Sequence, residues 1–423
     1  MKNVRNILCV FLLLLIGLPA LAGEPVVMSW SDCVREATRT NPELAASLEN
    51  VAQKKASKWV ATSPLLPQIS TEASASKLDN ISGGGRRDNN TYSARADQLL
   101  FDGFKTYDEF KAAEHNVTAS EFASAVTSSE IRYNLRKAFA ELLKAQTLVP
   151  ITSGIIERRE QNLGMIRLRY ESGREHQGAL LLAEADLAQA RYDHGKANRD
   201  VSIAQYALRK AMGWYEDAPI RVKGGFELLA PLGAKPVLRD LAGDHPAVKT
   251  KSAEQGAASY ELKAAQAEFF PTFDVSAEVG KVRGGGFTGS NNGWQVGLNA
   301  SLPVFEGGRR IANTERARAK LLETESSARG EYDRVLAGLE AAWQGLKDSV
   351  EFYGVQKKYL EANEVRAKIA RAQYANGLLI FDNWIIIEDN YVRSQKVFVE
   401  AGAAMLIAEA EWIRTKGETL SYE

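Results

Sequence analysis

GWQVGLNASLPVFEGGRR, residues 293–310, sets a strand directly against the start of a long helix. Trp294, Val296, Leu298, Ala300 and Leu302 alternate with Gln295, Gly297, Asn299 and Ser301, giving one greasy face and one small, polar face. Pro303 and the Glu306-Gly307-Gly308 turn end the strand, and a charged, Ala-rich helical pattern begins at once. A strand of this kind suits a membrane barrel as well as a sandwich. The element occurs twice. Leu100-Phe101-Asp102-Gly103 closes an earlier strand as Val304-Phe305-Glu306-Gly307 closes this one, 204 residues apart.

The same spacing holds along the chain without a slip. Asn41-Pro42 matches His245-Pro246, Pro67 matches Pro271, Phe139 matches Trp343, and Tyr170 with Gly173 matches Tyr374 with Gly377. This is an internal duplication. Residues 23–212 form the first unit: a helix from Pro42 to about Trp59, a β-hairpin over 68–101 and a helical hairpin over 105–212. Residues 213–243 are a joint, irregular or short-stranded, with Gly224-Gly225, Pro231 and Pro236. Residues 244–423 form the second unit: a helix from Pro246 to about Phe269, a β-hairpin over 272–305 and a helical hairpin over 308–416. The hairpin loops, Asp79 to Asn90 and Arg283 to Asn292, are rich in Gly and Asn and longer than tight turns. The strand signal is clear for Phe273, Val275, Ala277 and Val279, and weaker for Ile69, Ala73 and Ala75.

Each helical hairpin is unusually long. Leu135, Leu142, Val149, Ile156, Leu163 and Tyr170 recur every seven residues across Pro150, which therefore reads as a kink rather than a stop. The second unit repeats the stripe with Leu339, Leu346, Tyr353, Leu360, Ala367 and Tyr374. After the turns at Gly173 and Gly377, one descending helix carries Ala183, Ala190, Ala197, Ala204 and Ala211 at a heptad position. Its counterpart carries the aromatic column Trp384, Tyr391, Phe398, Met405 and Trp412. Sustained heptads predict coiled coils. The Ala column allows a tight pair, whereas the aromatic column fills a looser seam, which makes the second hairpin the expected mobile half of any gate.

Lys2 and Arg5, the apolar run Ile7 to Leu18 and Ala20-Leu21-Ala22 read as a secretory signal peptide over residues 1–22. Pro19 stops the run short of the length a spanning helix needs. Cys9 leaves with that leader, so Cys33 is alone and neither a disulfide nor a Cys metal site is expected. The 53 basic and 53 acidic residues balance, which argues against nucleic acid as a partner. The triplets Gly83-Gly84-Gly85 and Gly284-Gly285-Gly286 lack the Lys-Ser/Thr of a phosphate loop and read as plain loops. His115, His176, His194 and His245 show no metal-ligand spacing; His194 reads as a seam residue and His176 as solvated. No nucleophile constellation is found. The expectation is a protein that is not an enzyme, with no cofactor, metal or catalytic site.

Two hairpins give four strands, too few to close a barrel, whereas three chains would give twelve. Arg95, Asp97, Asp274 and Glu278 fall on the face that would line the lumen. The duplicated plan, the Phe-Asp/Glu-Gly step into the long helix and the Tyr-x-x-Gly turns make the chain resemble the TolC family of outer-membrane efflux proteins. The resemblance covers the whole mature chain. It implies an α+β fold: a homotrimer with a twelve-stranded β-barrel in outer-membrane lipid of a Gram-negative bacterium, continued by a periplasmic α-helical barrel. The joint would belong to an equatorial girdle. The resemblance also implies export of substrates delivered by a periplasmic adaptor (membrane fusion) protein and an inner-membrane transporter, with efflux favoured and type I protein secretion left open. The tips that would meet the adaptor are Tyr170, Gly173, Arg174, Tyr374, Gly377 and Leu378. Acidic residues shortly after the second tip Gly form a constriction in known members. Here those positions are Asn383 and Ile386, with Asp382, Glu388 and Asp389 nearby but off register. Asp382, Asn383, Ile386 and Asp389 are the candidate gate. The alternative is a periplasmic coiled-coil scaffold without a pore, which explains the heptads but leaves four alternating strands without a use.

Overall fold

A computed structural model of the chain describes residues 25–78, 87–216, 218–281 and 292–420. The expected leader, residues 1–22, and both glycine triplets lie outside the described residues. The first half runs β1 (Val26–Met28), α1 (Trp30–Thr40), α2 (Pro42–Thr62), a single 3-10 turn, β2 (Gln68–Leu78), β3 (Arg87–Phe101), α3 (Lys105–Glu171) and α4 (Gln177–Met212). Then come β4 (Ile220–Val222), α5 (Leu238–Asp244), α6 (Pro246–Ala267), β5 (Thr272–Lys281), β6 (Asn292–Ser301), α7 (Arg309–Ala375) and α8 (Phe381–Thr415). Helices α3 and α7 both have 67 residues, a rise of roughly 100 Å each. The fold is mostly helical, with one larger sheet.

That sheet has the order β2-β3-β5-β6, antiparallel throughout. Its register sorts the side chains by chemistry. Ile69, Ala96, Ala277 and Val296 form one row, Thr71, Ala94, Val279 and Trp294 the next, and Gln98, Val275 and Leu298 a third. The opposite face carries Ser70, Arg95, Glu278 and Gln295 in one row and Gln68, Asp97, Ser276 and Gly297 in another. Arg95, Asp97, Asp274 and Glu278 therefore share the polar face. Arg95 Nε donates to Asp97 Oδ2 (2.8 Å), Gln295 Nε2 to Glu278 Oε2 (2.9 Å), and Asn299 Nδ2 to Asp274 Oδ2 (2.9 Å). Among the described residues the outer edges of β2 and β6 pair with nothing.

Three elements were not legible in the sequence. β1 lies parallel to β4, Val26 opposite Ile220 and Met28 opposite Val222, and so ties the chain start to the joint. α1 packs beside them, and the joint adds the short helix α5 where only irregular or stranded chain was expected. Three-residue strands and a seven-residue helix carry too few repeats to register as a period. β6 also stops at Ser301 rather than Phe305, because Pro303 has no N–H to give a ladder.

α3 runs unbroken through Pro150. Its heptad line does not stay buried. Leu135 and Leu142 are fully buried, but Tyr170 is 38% exposed, and Asn162 and Ile166 have taken its place inside. An α-helix turns 3.6 residues per turn, so a seven-residue line drifts by about 20° per heptad. Drift alone does not choose the new inside face, since Ile166 and Asn162 lie further round the helix from Leu135 than Tyr170 does; the neighbours packed there, Ala183 and Trp384 among them, select it.

Two matched glycines fix how the hairpins meet the short helices. Gly213 follows α4 at φ +75° and Gly417 follows α8 at φ +78°. A Cβ on Gly213 would lie 2.5 Å from Thr40 O, and one on Gly417 2.4 Å from Pro246 Cδ. Both halves use the same close approach, around Asn41-Pro42 and His245-Pro246.

The cap residues there differ. Asn41 Oδ1 accepts from Glu43 N and Leu44 N, whereas His245 Nδ1 accepts from Ala247 N at 3.2 Å. Burial pushes the His245 imidazole below its ordinary range, against Glu331 and with Arg334 and Arg414. A lowered folded-state value means that the unfolded chain binds the proton first. Stability that depends on the neutral imidazole is therefore full above the ordinary histidine value and lost as pH falls through it toward the lowered folded value. Thermal unfolding from pH 7 to 5 should show this slope, and His245→Asn should flatten it.

One core, beside the joint, gathers Cys33, Ala37, Leu135, Phe139, Leu208, Met212 and Ile220. The second gathers Leu339, Trp343, Leu346 and Trp412. Burial pushes the free Cys33 thiol up to about 12, which keeps it inert.

Candidate functional site: the helical tips and their clasp

α3 and α7 end the same way. Gly173 has φ +70° and Gly377 φ +74°, a left-handed conformation that glycine adopts without cost. Arg174 N donates back to Arg169 O (2.8 Å) and Leu378 N to Gln373 O (2.9 Å), closing each helix with a six-residue loop. A Cβ at either glycine would touch nothing within 4 Å, so the backbone angle alone selects the residue. His176, expected to be merely solvated, caps α4: its Nδ1 accepts from Ala179 N at 3.1 Å. α8 starts at Ile380 without a side-chain cap.

The matched tyrosines have different environments. Tyr170 is partly exposed, whereas Tyr374 is fully buried. Tyr374 stacks on Trp384 with centroids 4.1 Å apart, and the Arg169 guanidinium covers the ring at 4.7 Å. Its hydroxyl donates to Glu175 Oε2 (2.8 Å), and Arg169 Nη1 donates to Tyr374 O (2.9 Å). Burial, then the Glu175 hydrogen bond, holds the phenol above its usual range. Ile166, Ala179, Ala183, Ala370, Phe381 and Ile385 complete this tip core. The two hairpins are therefore packed together at the tip.

About three turns above it, α3 grips α8 through adjacent charges. Arg158 Nη2 donates to Glu388 Oε1 (2.9 Å) and its Nε to Oε2, a bidentate pair around a carboxylate with no exposed surface. Arg159 pairs with Asp389 and lies 3.4 Å from Asp186 on α4. Burial raises the Asp186 carboxyl, with Arg159 opposing and Asp389 adding to the effect. The Arg158 guanidinium also lies 4.9 Å from the Tyr391 ring.

The structure thus joins Asp389 to the first hairpin, together with Glu388, which spacing placed off register. Asp382, Asn383 and Ile386 are exposed on the protomer, as are Arg174 and Leu378. Arg158, Arg159, Asn162 and Glu175 were not singled out in the sequence. The available signal was Arg158-Arg159 facing Glu388-Asp389 across one constant separation of 230 residues. His194 is half-buried on the α3–α4 seam, its Nδ1 3.0 Å from Thr152 Oγ1. No three-residue or larger group of His, Cys, Asp and Glu suited to a metal occurs among the described residues. No described helix is long and apolar enough to cross a membrane.

Known proteins share this fold. The family model described as outer membrane efflux protein matches residues 33–214 and 237–379. The outer membrane efflux protein BepC of Brucella suis biovar 1 is 21% identical over 314 residues, 74% of this chain and 68% of that one. The cation efflux system protein CusC of Escherichia coli (strain K12) is 21% identical over 387 residues, 89% of this chain and 83% of that one. Among solved structures, VceC of Vibrio cholerae superposes with a TM-score of 0.79 at 18% identity, over 93% of this chain and 97% of that one. The open state of the MtrE channel of Neisseria gonorrhoeae gives 0.81 at 18% identity, over 92% and 89%. With both repeats matched by the family model and the whole hairpin architecture shared, this chain belongs to the outer membrane efflux protein family and is an outer-membrane efflux channel.

Proposed function

We propose that three copies close into one conduit: a twelve-stranded barrel in the outer membrane continued by a helical barrel through the periplasm. The carrying observation is the four-stranded sheet with unpaired edges at β2 and β6 and apolar rows on one face. An unpaired edge invites another strand, and antiparallel closure of three such sheets leaves none. The duplication supplies the template for the joints between copies. Within one chain α6 packs on α3, with Gly256 and Tyr260 against His115 and with Ala253, Ala257 and Ala264 buried. The repeat-related face of α2, Glu49, Ala52, Gln53, Ala56 and Val60, is exposed. A neighbour's α7 would cover it.

The same mapping supports a position for the gate. Arg158 and Arg159 correspond to Ala362 and Asn363, and Glu388 and Asp389 to Glu184 and Ala185. The α3–α8 contact within a chain is clasped, whereas the α7–α4 contact between chains has no equivalent arginines. Opening would begin at the seam between chains. Asp382, Asn383 and Ile386, exposed just past the second turn, would line the constriction. The turns at Tyr170, Gly173, Arg174, Tyr374, Gly377 and Leu378 would dock a periplasmic adaptor and, through it, an inner-membrane transporter. A relative named as part of a cation efflux system supports such partners.

The test is solution mass and membrane attachment. Detergent should release the protein as a trimer that salt does not release, with strand signal lost together with the trimer. A folded monomer, or release by salt alone, would support the pore-free scaffold instead.

A further inference from the structure

One residue at the junction of sheet and helix breaks the duplication. Phe104 precedes α3 at φ +68° and is the single non-glycine with positive φ among the described residues. Its repeat partner is Gly308, at φ +85°. A left-handed backbone strains a residue that carries a β-carbon. Helix capping does not require the phenylalanine, since Asp102 Oδ2 already accepts from Thr106 N (2.8 Å). Nor is the ring hidden, being 65% exposed.

Its surroundings show which way it faces. Phe104 meets Phe101 edge to face, centroids 5.7 Å apart, and Phe101 lies 6.2 Å from Phe273, its partner in the β3–β5 register. Phe273 shares its face with Val275 and pairs with Ala300. The three rings thus continue the apolar face of the sheet past its last rung and onto the helix. Phe104 is also far from the edges that a second copy would cover. β3 has β2 and β5 on its two sides, and α3 has α2 and α6.

We propose that Phe104 is an interfacial anchor whose ring seats in the phospholipid layer at the periplasmic rim of the barrel. A fixed apolar ring at the boundary between acyl chains and headgroups sets how deep the barrel rides, as aromatic girdles do. The strained backbone aims the ring outward, where Gly308 in the second repeat presents nothing. The inference rests on the barrel reading above and adds one anchor per chain.

Spin labels test both readings separately. In a Cys33→Ala background, nitroxides are placed by Phe104→Cys, Val296→Cys on the apolar sheet face, and Leu181→Cys near the tips. The labelled proteins are reconstituted in phosphatidylethanolamine–phosphatidylglycerol vesicles. The label at 104 should collide with oxygen several-fold more than with a water-soluble nickel chelate, at a depth shallower than 296. Behaviour like 181, or shielding from both reagents, while 296 reads as lipid, overturns the anchor and leaves the barrel standing. A water-exposed 296 removes the barrel reading and the anchor with it. As a second readout, Phe104→Trp should gain emission that lipids brominated near the carbonyl quench beyond the unsubstituted protein; no added quenching overturns the anchor.

Discussion

Arg158→Ala is expected to raise the conductance of the reconstituted channel several-fold and to lower its thermal midpoint. Glu388 has no exposed surface, and Arg158 supplies both of its charge-assisted contacts beyond a long one from Asn162 (3.5 Å). Removing one partner of a buried pair leaves the other charge stranded, at a cost of about 3–5 kcal/mol. The stranded carboxylate regains water when α8 parts from α3, which in the proposed gate would add a second opening seam within each chain to the one between chains. Lys396→Ala is the control, since Lys396 joins Asp193 between the same hairpins further from the tip at a partly exposed site. Planar-bilayer recordings of both variants decide the matter. Reduced stability with unchanged conductance would make the clasp purely structural, and equal conductance gains from both would deny it any special place.

Gly213→Val is expected to cost about 3–5 kcal/mol, from the left-handed backbone together with overpacking. The backbone at Thr40 and Asn41 leaves no room for a β-carbon, with contacts of 2.5 and 2.8 Å. Gly377→Ala has nearly the same φ but open space around it, so only the backbone cost of about 1–2 kcal/mol applies. Thermal unfolding and yield of trimer from membranes should therefore separate the two. Similar losses would mean that backbone angle, not the close approach to α2, dominates at both sites.

The large plan was legible because it is written in long periods repeated twice. Sixty-seven-residue helices and ten-residue strands supply many turns of signal each, and the duplication offers a second copy to check. Short elements such as β4 and α5 had no such redundancy. At the tips, the sequence placed both turns through Gly173 and Gly377, but side-chain partners across separate hairpins follow no local spacing. Glu388 looked off register because register was counted along α8 alone. Its fate is set by Arg158, a helix away, on a face of α3 outside the heptad stripe.

The equal lengths of α3 and α7 make the tube a ruler with coarse graduations. Deleting one residue from α3 alone would lower its tip by about 1.5 Å and rotate it by about 100°, turning Arg158 away from α8. A loss of seven residues, taken together from both ascending and both descending helices, shortens the hairpins by about 10 Å while keeping the facing sides within about 20° of alignment, and a loss of eleven keeps them equally close. The depth that the proposed tube could reach is therefore quantised, and a change in cell-envelope spacing would be met in steps of near-whole turns such as seven or eleven residues, written twice into the same gene.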